Sequence, residues 1–187
     1  MDAFSYLSVL LSIILGLALT QVLQGYRDLL LSRARVRLYP PPLIWSALLL
    51  LMVIQNWWAS FGLADHPEWT FAMFATIIVH TILIYMMAAL VLPDVAAADE
   101  PIDLRAHYYH EAGPFFGLAL GVIGVSLFKE YMVEGALPDP ANLAFHLVFA
   151  ACALTVMVSR RPLLHEIFAP LMALIFGAYI ALLFAEL

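Results

Sequence analysis

The side chains most able to do chemistry are histidines, and their positions divide them into two groups. His80 and His146 lie inside long apolar stretches. Two intramembrane imidazoles can ligate a haem from either side, relay protons or bond to neighbouring helices. His80 falls near the middle of its stretch and His146 about one turn into the next but one. The axial offset is on the order of 10 Å at 1.5 Å per residue, which disfavours a shared haem. The expectation is a neutral His80 bonded to an adjacent helix, with His80 and His146 kept as the weak cofactor-binding candidates and no cofactor expected.

The second group is polar. His107 and His110 stand one helical turn apart with Glu111 beside them, and His165 lies in the next loop of the same side. Imidazoles and a carboxylate can hold a divalent ion, so His107, His110, Glu111 and His165 are the metal candidates. No cysteine can join them, because Cys152 is the only one and sits in an apolar stretch.

A third set has hydroxyls and amides. Ser8, Ser12, Gly16 and Thr20 recur every four residues and run on to Gln24, while Gln55 and Asn56 precede Trp57-Trp58. On a helix that spacing makes one stripe, which can bond to another helix or line a polar path. Ser8, Ser12, Thr20, Gln24, His80, Gln55 and Asn56 are therefore the pathway candidates. Nucleophile elbows, phosphate loops and an HExxH helix are absent, so catalytic residues are not assigned.

The elements that must position these groups follow from composition. Of 187 residues 65% are hydrophobic and only 12% charged, against roughly 25% charged in a soluble domain. Six apolar stretches are long enough to cross a bilayer, approximately 4–25, 42–63, 70–92, 114–132, 142–159 and 167–186. Prolines punctuate every gap, and Pro114 is expected to open the fourth span, with Pro170 in the first turn of the sixth. The first stretch has neither a basic leader nor a small-residue cleavage site and is expected to be retained. With open backbone excluded from lipid, the class is an all-α polytopic integral membrane protein forming a single transmembrane domain.

Orientation follows from the cations. Arg27, Arg33, Arg35, Arg37, Arg105, Arg160 and Arg161 share one side and only Lys129 falls on the other, which places both termini outside. The arginine side also carries Asp28, Asp94, Asp99, Glu100, Asp103, Glu111 and Glu166, so it is neutral. Asp2, Asp65, Glu68, Glu130, Glu134, Asp139 and Glu186 leave the formal charge of -6 on the outer face. Aromatic belts are expected at both boundaries, with Trp57, Trp58, Trp69, Tyr6 and Tyr131 outside and Trp45, Tyr26, Tyr39, Tyr108 and Tyr109 inside. A net negative chain without a basic surface is not a nucleic-acid binder.

Small residues at four-residue spacing also mark span four, at Gly113, Gly117 and Gly121, and span six, at Ala173, Gly177 and Ala181. With Gly16 they form a helix-packing spine, either within the chain or between copies.

The order Leu7-Ser8, Leu15-Gly16-Leu17-Ala18, Arg35-Val36-Arg37-Leu38-Tyr39, Trp57-Trp58, Leu92-Pro93-Asp94 and Tyr108-Tyr109-His110 to Phe115-Phe116-Gly117 resembles a group of small bacterial inner-membrane proteins. The resemblance implies six spans in the bacterial inner membrane and brings no activity with it. Phe4-Ser5 is also similar to the start of a Phe-Ser-Asp motif in small bacterial potassium channels. Tyr6 replaces that aspartate, and those channels begin inside.

The functional expectation is a small oligomeric transporter or channel for an ion or small solute. The alternative is a non-catalytic subunit of a larger membrane complex, and a haem- or metal-binding redox protein stands third. The partners expected are the lipid bilayer and a second copy or a larger complex.

Overall fold

From the second helix on, each begins where a cap or a proline dictates. The computed structural model describes residues 3–64, 69–95 and 101–183. Six helices cross: α1 (Ala3–Leu31), α2 (Pro40–Ser60, continued by a 3-10 turn to Leu63), α3 (Phe71–Leu90), α4 (Leu104–Glu134), α5 (Pro140–Val158) and α6 (Pro162–Leu183). All six are long and apolar enough to span a membrane, so the chain is an all-α multi-pass membrane protein.

The Thr70 hydroxyl accepts from the Met73 N–H at 3.2 Å and starts α3. Asp103 accepts from the N–H groups of Arg105 and Ala106 and starts α4. Asp139 does the same for α5, followed by Pro140 at its first position. Gly135, in the left-handed region at φ 70°, ends α4.

Three boundaries differ from the sequence expectation by five residues or more, the first being the end of α1, which runs to Leu31 and not to 25. α4 starts at Leu104, ten residues before Pro114, which lies inside the helix. Proline there removes only the hydrogen bond that the carbonyl of His110 would otherwise accept, and lipid gives the backbone no alternative to helix. α6 likewise starts at Pro162 and runs through Pro170. The candidate loop residues His107, His110 and Glu111 are consequently helical.

The helices close a ring. α1 packs on α3, α3 on α4, α4 on α5, α5 on α6, α6 on α2 and α2 back on α1. A contact between α2 and α3 cuts across in front of α1. The two halves pair differently, first helix on third in one and first on second in the other. A short parallel pair, β1 (Val36–Arg37) with β2 (Ile102–Asp103), ties the α1–α2 connection to the start of α4.

α1 turns Leu7, Leu11, Leu15, Ala18 and Val22 inward, all at most 2% exposed. Gly16, Thr20 and Gln24 are exposed on its opposite side. Asp2, Asp65, Glu68, Asp99, Glu100 and Glu186, together with the last residues of the expected sixth span, lie outside the described residues.

Candidate functional site

The ring of α2 to α6 encloses a cavity of about 310 Å³, at the small end of the range of ligand sites. Its walls run along α2 from Trp45 to Leu63 and along α4 from Phe116 to Glu134, in each case about 27 Å of helix at 1.5 Å per residue. The floor is apolar and aromatic, with Leu48, Leu49, Met87, Phe116, Ala153 and Met172. The polar groups come higher: Gln55 and Asn56 from α2, His80 from α3, Ser126, Lys129 and Glu130 from α4, His146 from α5 and Tyr179 from α6. Glu134 lines the mouth and is exposed.

Within this band some groups are satisfied and others are not. The Nδ1–H of His146 donates to the carbonyl of Asn142 at 2.9 Å, which leaves Nε2 to accept from the Ser126 hydroxyl at 3.1 Å. Both oxygens of Glu130 accept from the Asn142 amide, at 3.0 and 3.1 Å. By contrast His80 and Asn56, each only 7% exposed, make no side-chain hydrogen bond among the described residues. Lys129 has no ion pair there, although Glu130 is its neighbour in sequence. A buried polar group without a partner costs free energy, so buried His80 and Asn56, with half-buried Lys129 beside them, have capacity left for a solute, as does the Nε1–H of Trp45, which is fully enclosed without a partner.

Below the floor the chemistry changes. Tyr39, Trp45, Tyr108, Tyr109, Phe115, Phe116 and His165 form a continuous ring cluster with neighbouring centroids between 5.1 and 6.5 Å apart. His165, 1% exposed, donates from Nε2 to the carbonyl of Ser159 at 2.7 Å and accepts at Nδ1 from the Tyr108 hydroxyl at 2.8 Å. The hydroxyls of Tyr39 and Tyr109 meet at 3.1 Å. Burial, with the Tyr109 hydrogen bond second, pushes the Tyr39 phenol well above its ordinary value of 10.0. Three aromatics expected at the membrane boundary, Trp45, Tyr39 and Tyr108, thus belong to the interior. Trp57, Trp58, Tyr6 and Tyr131 are exposed, as a belt requires.

The candidate residues are distributed as follows. His80, His146, Gln55 and Asn56 all line the cavity, which is long enough to hold the two histidines at different depths. Ser8, Ser12, Thr20 and Gln24 do not line it, because α2 and α3 stand between α1 and the cavity. The Ser8, Ser12 and Thr20 hydroxyls donate to carbonyls of their own helix.

The four-residue spine is also placed differently. A methyl group added at Gly16, Gly113, Gly117 or Gly177 would meet nothing within 4 Å, and Ala181 is exposed. Gly121 faces Leu83 at ordinary contact distance, and Ala173 borders an apolar groove between α2 and α6. Close approach occurs instead at Gly25, where an added Cβ would stand 2.7 Å from Cδ1 of Leu92.

The metal candidates are spread apart. His107 donates from Nε2 to the carbonyl of Leu90 at 3.0 Å, His110 pairs with Glu111 at 2.7 Å on the surface, and His165 is held in the ring cluster. Among the described residues no three of His, Cys, Asp and Glu are gathered for an ion. Ser126, Lys129, Glu130 and Tyr179 were not singled out by the sequence. The available signal was spacing, since Val122, Ser126, Lys129 and Val133 share one helical face with Phe116 and Ala119.

No family model, curated protein or solved structure matches the chain.

Proposed function

We propose that the protein binds a small solute in the cavity between α2 and α6 and conducts it across the membrane, with the end bearing Glu134 facing outward as the arginine distribution implies. The observation that supports this reading is the set of unpartnered polar side chains, His80, Asn56 and Lys129, that helices of a membrane protein hold on one cavity. Polar and ionisable groups in membrane helices are costly and mark substrate or ion paths. Lys129 supplies charge, Asn56 and Gln55 supply donors and acceptors, and His80 supplies either according to its tautomer.

Swelling of proteoliposomes in short monocarboxylates, alkylammonium salts and polyols tests the reading. At least one class is expected to enter faster than into protein-free vesicles, and Ala119→Phe, which fills the cavity, is expected to abolish the difference. Equal rates for every class with and without protein would contradict it.

A second reading, assembly with another copy or a larger complex in the bacterial inner membrane, is supported by the outward stripe of Gly16, Thr20 and Gln24. Close helix association in lipid uses such faces. Cross-linking of Gly16→Cys in native membranes tests it, with a discrete dimer or partner adduct expected and a lone monomer contradicting it.

A further inference from the structure

The cavity is amphipathic along its length, and one charged group of its polar band, Lys129, is left without a hydrogen-bonded partner. Ten residues separate Trp45 from Gln55 on α2 and Phe116 from Ser126 on α4, so the apolar pit beneath the polar band is about 15 Å deep at 1.5 Å per residue. Its wall carries Leu49, Met87, Phe116, Ala153 and Met172 and no charged side chain. In the band above, the carboxylate and one imidazole are already engaged as acceptors, whereas the amide oxygens of Gln55 and Asn56 accept no hydrogen bond among the described residues. Both oxygens of Glu130 are held by Asn142, and Nε2 of His146 by Ser126.

The charged group left without a hydrogen-bonded partner is a donor. Lys129 offers three N–H donors and a positive charge without an ion-pair partner, and Asn56 and Gln55 offer amide N–H groups. Lys129 shares the cavity wall with Glu130, whose two oxygens are held by Asn142, so its ammonium is left to pair with an anionic solute through charge-assisted hydrogen bonds. Glu134 is exposed at the mouth, above Lys129 in the helix.

We propose that the cavity takes an amphipathic monocarboxylate, its head between Lys129 and Asn56 and its apolar body in the pit toward Trp45 and Phe116. The assignment rests on the reading of the cavity as a solute site and adds to it the charge and polarity of the solute. The acidic outer face makes such a solute rare at the entrance, so selectivity resides in the depth at which charge is received. A carboxylate without an apolar body leaves the pit unfilled, and an amine of the same body meets Lys129 as a like charge.

Three probes with one body and different heads test this on the purified full chain: 4-phenylbutyrate, 4-phenylbutylamine and 4-phenylbutanol, each followed by the saturable rise of Tm. The acid is expected to bind at least about tenfold tighter than the alcohol, the scale of one charged hydrogen bond, and the amine weakest. Lys129→Gln is expected to bring acid and alcohol together without loss of helical circular dichroism. Ala119→Phe, or Ala153→Phe if the first does not fold, is expected to remove all three responses.

The wild-type ranking is decisive even if Lys129→Gln fails to fold. An amine or alcohol that equals the acid overturns the proposal, as does an acid response that Lys129→Gln leaves intact or an absence of any acid response. Binding of amine or alcohol that Ala119→Phe abolishes would remove the carboxylate assignment while leaving the cavity as a solute site. Loss of all three responses in the wild type would count against both.

Discussion

The cavity and the ring cluster beneath it are built from the same kinds of side chain and treat them oppositely. Each end has a buried histidine on the helices that surround the interior, His165 among aromatic rings in the cluster and His80 on the cavity wall. In the cluster, His165 uses both ring nitrogens and Tyr108 uses its hydroxyl. In the cavity, His80 is equally enclosed and uses neither nitrogen among the described residues. For these two histidines satisfaction, not burial, separates scaffold from site, and the Nε1–H of Trp45, at the join of cluster and cavity, is buried without a partner like the groups of the cavity. His146 lines the cavity but belongs with the scaffold by this measure, because Ser126 and Asn142 complete it.

Substitutions can break the contrast from the cluster side first. Phe116 is fully buried where cluster and cavity floor join, and Phe116→Ala is expected to cost about 3–5 kcal/mol of stability. Reversible unfolding in mixed micelles measures it, and a cost near zero would mean that the floor is not packed. His165→Leu comes next, at about 1–3 kcal/mol, because it strands the Tyr108 hydroxyl and the Ser159 carbonyl. Adding Tyr108→Phe should return part of that cost in a double-mutant cycle, since the stranded hydroxyl is then gone.

The cavity side predicts a far smaller effect from a similar change. His80→Leu removes a buried imidazole that bonds to nothing among the described residues, so stability should change by no more than about 0.5 kcal/mol or rise. A loss as large as that of His165→Leu would erase the distinction between the two ends.

The smallest effect is one of pH. Because burial raises the Tyr39 pKa, its contribution to stability is complete below the free phenol value of 10.0 and is lost as pH rises through the folded value. The Tm advantage of the wild type over Tyr39→Phe should therefore shrink between roughly pH 8 and pH 11. A constant difference would show that the phenol is not held protonated by its surroundings.

Much of the fold is legible in the sequence because lipid leaves the backbone few choices. Six apolar runs become six helices, and Thr70, Asp103, Asp139 and Gly135 mark where some of them start or stop. Proline is the misleading sign: Pro114 and Pro170 read as helix starts, yet lipid keeps the chain helical through both. The site is less legible for a related reason. Four-residue spacing shows that Ser12, Gly16 and Thr20 share a face, but not that the face turns away from the other helices. Counting along two stretches gives depths for His80 and His146, but only packing shows that both line one cavity. Lys129 reads as a boundary charge from its position near the end of a span, whereas its helix carries it onto the cavity wall.

The central claim is that the cavity admits a solute from the end bearing Glu134 while α1's polar stripe faces away from it. In a Cys152→Ala background reconstituted in vesicles, Gln55→Cys reports on the cavity wall and Thr20→Cys on the stripe. The measurement is modification by a membrane-impermeant anionic methanethiosulfonate applied from each side in turn. The account predicts that Cys at 55 reacts from the Glu134 side, that occupancy by 4-phenylbutyrate slows the reaction, and that Cys at 20 stays unreactive. Reaction at 20 with none at 55 would contradict it and return the polar path to α1.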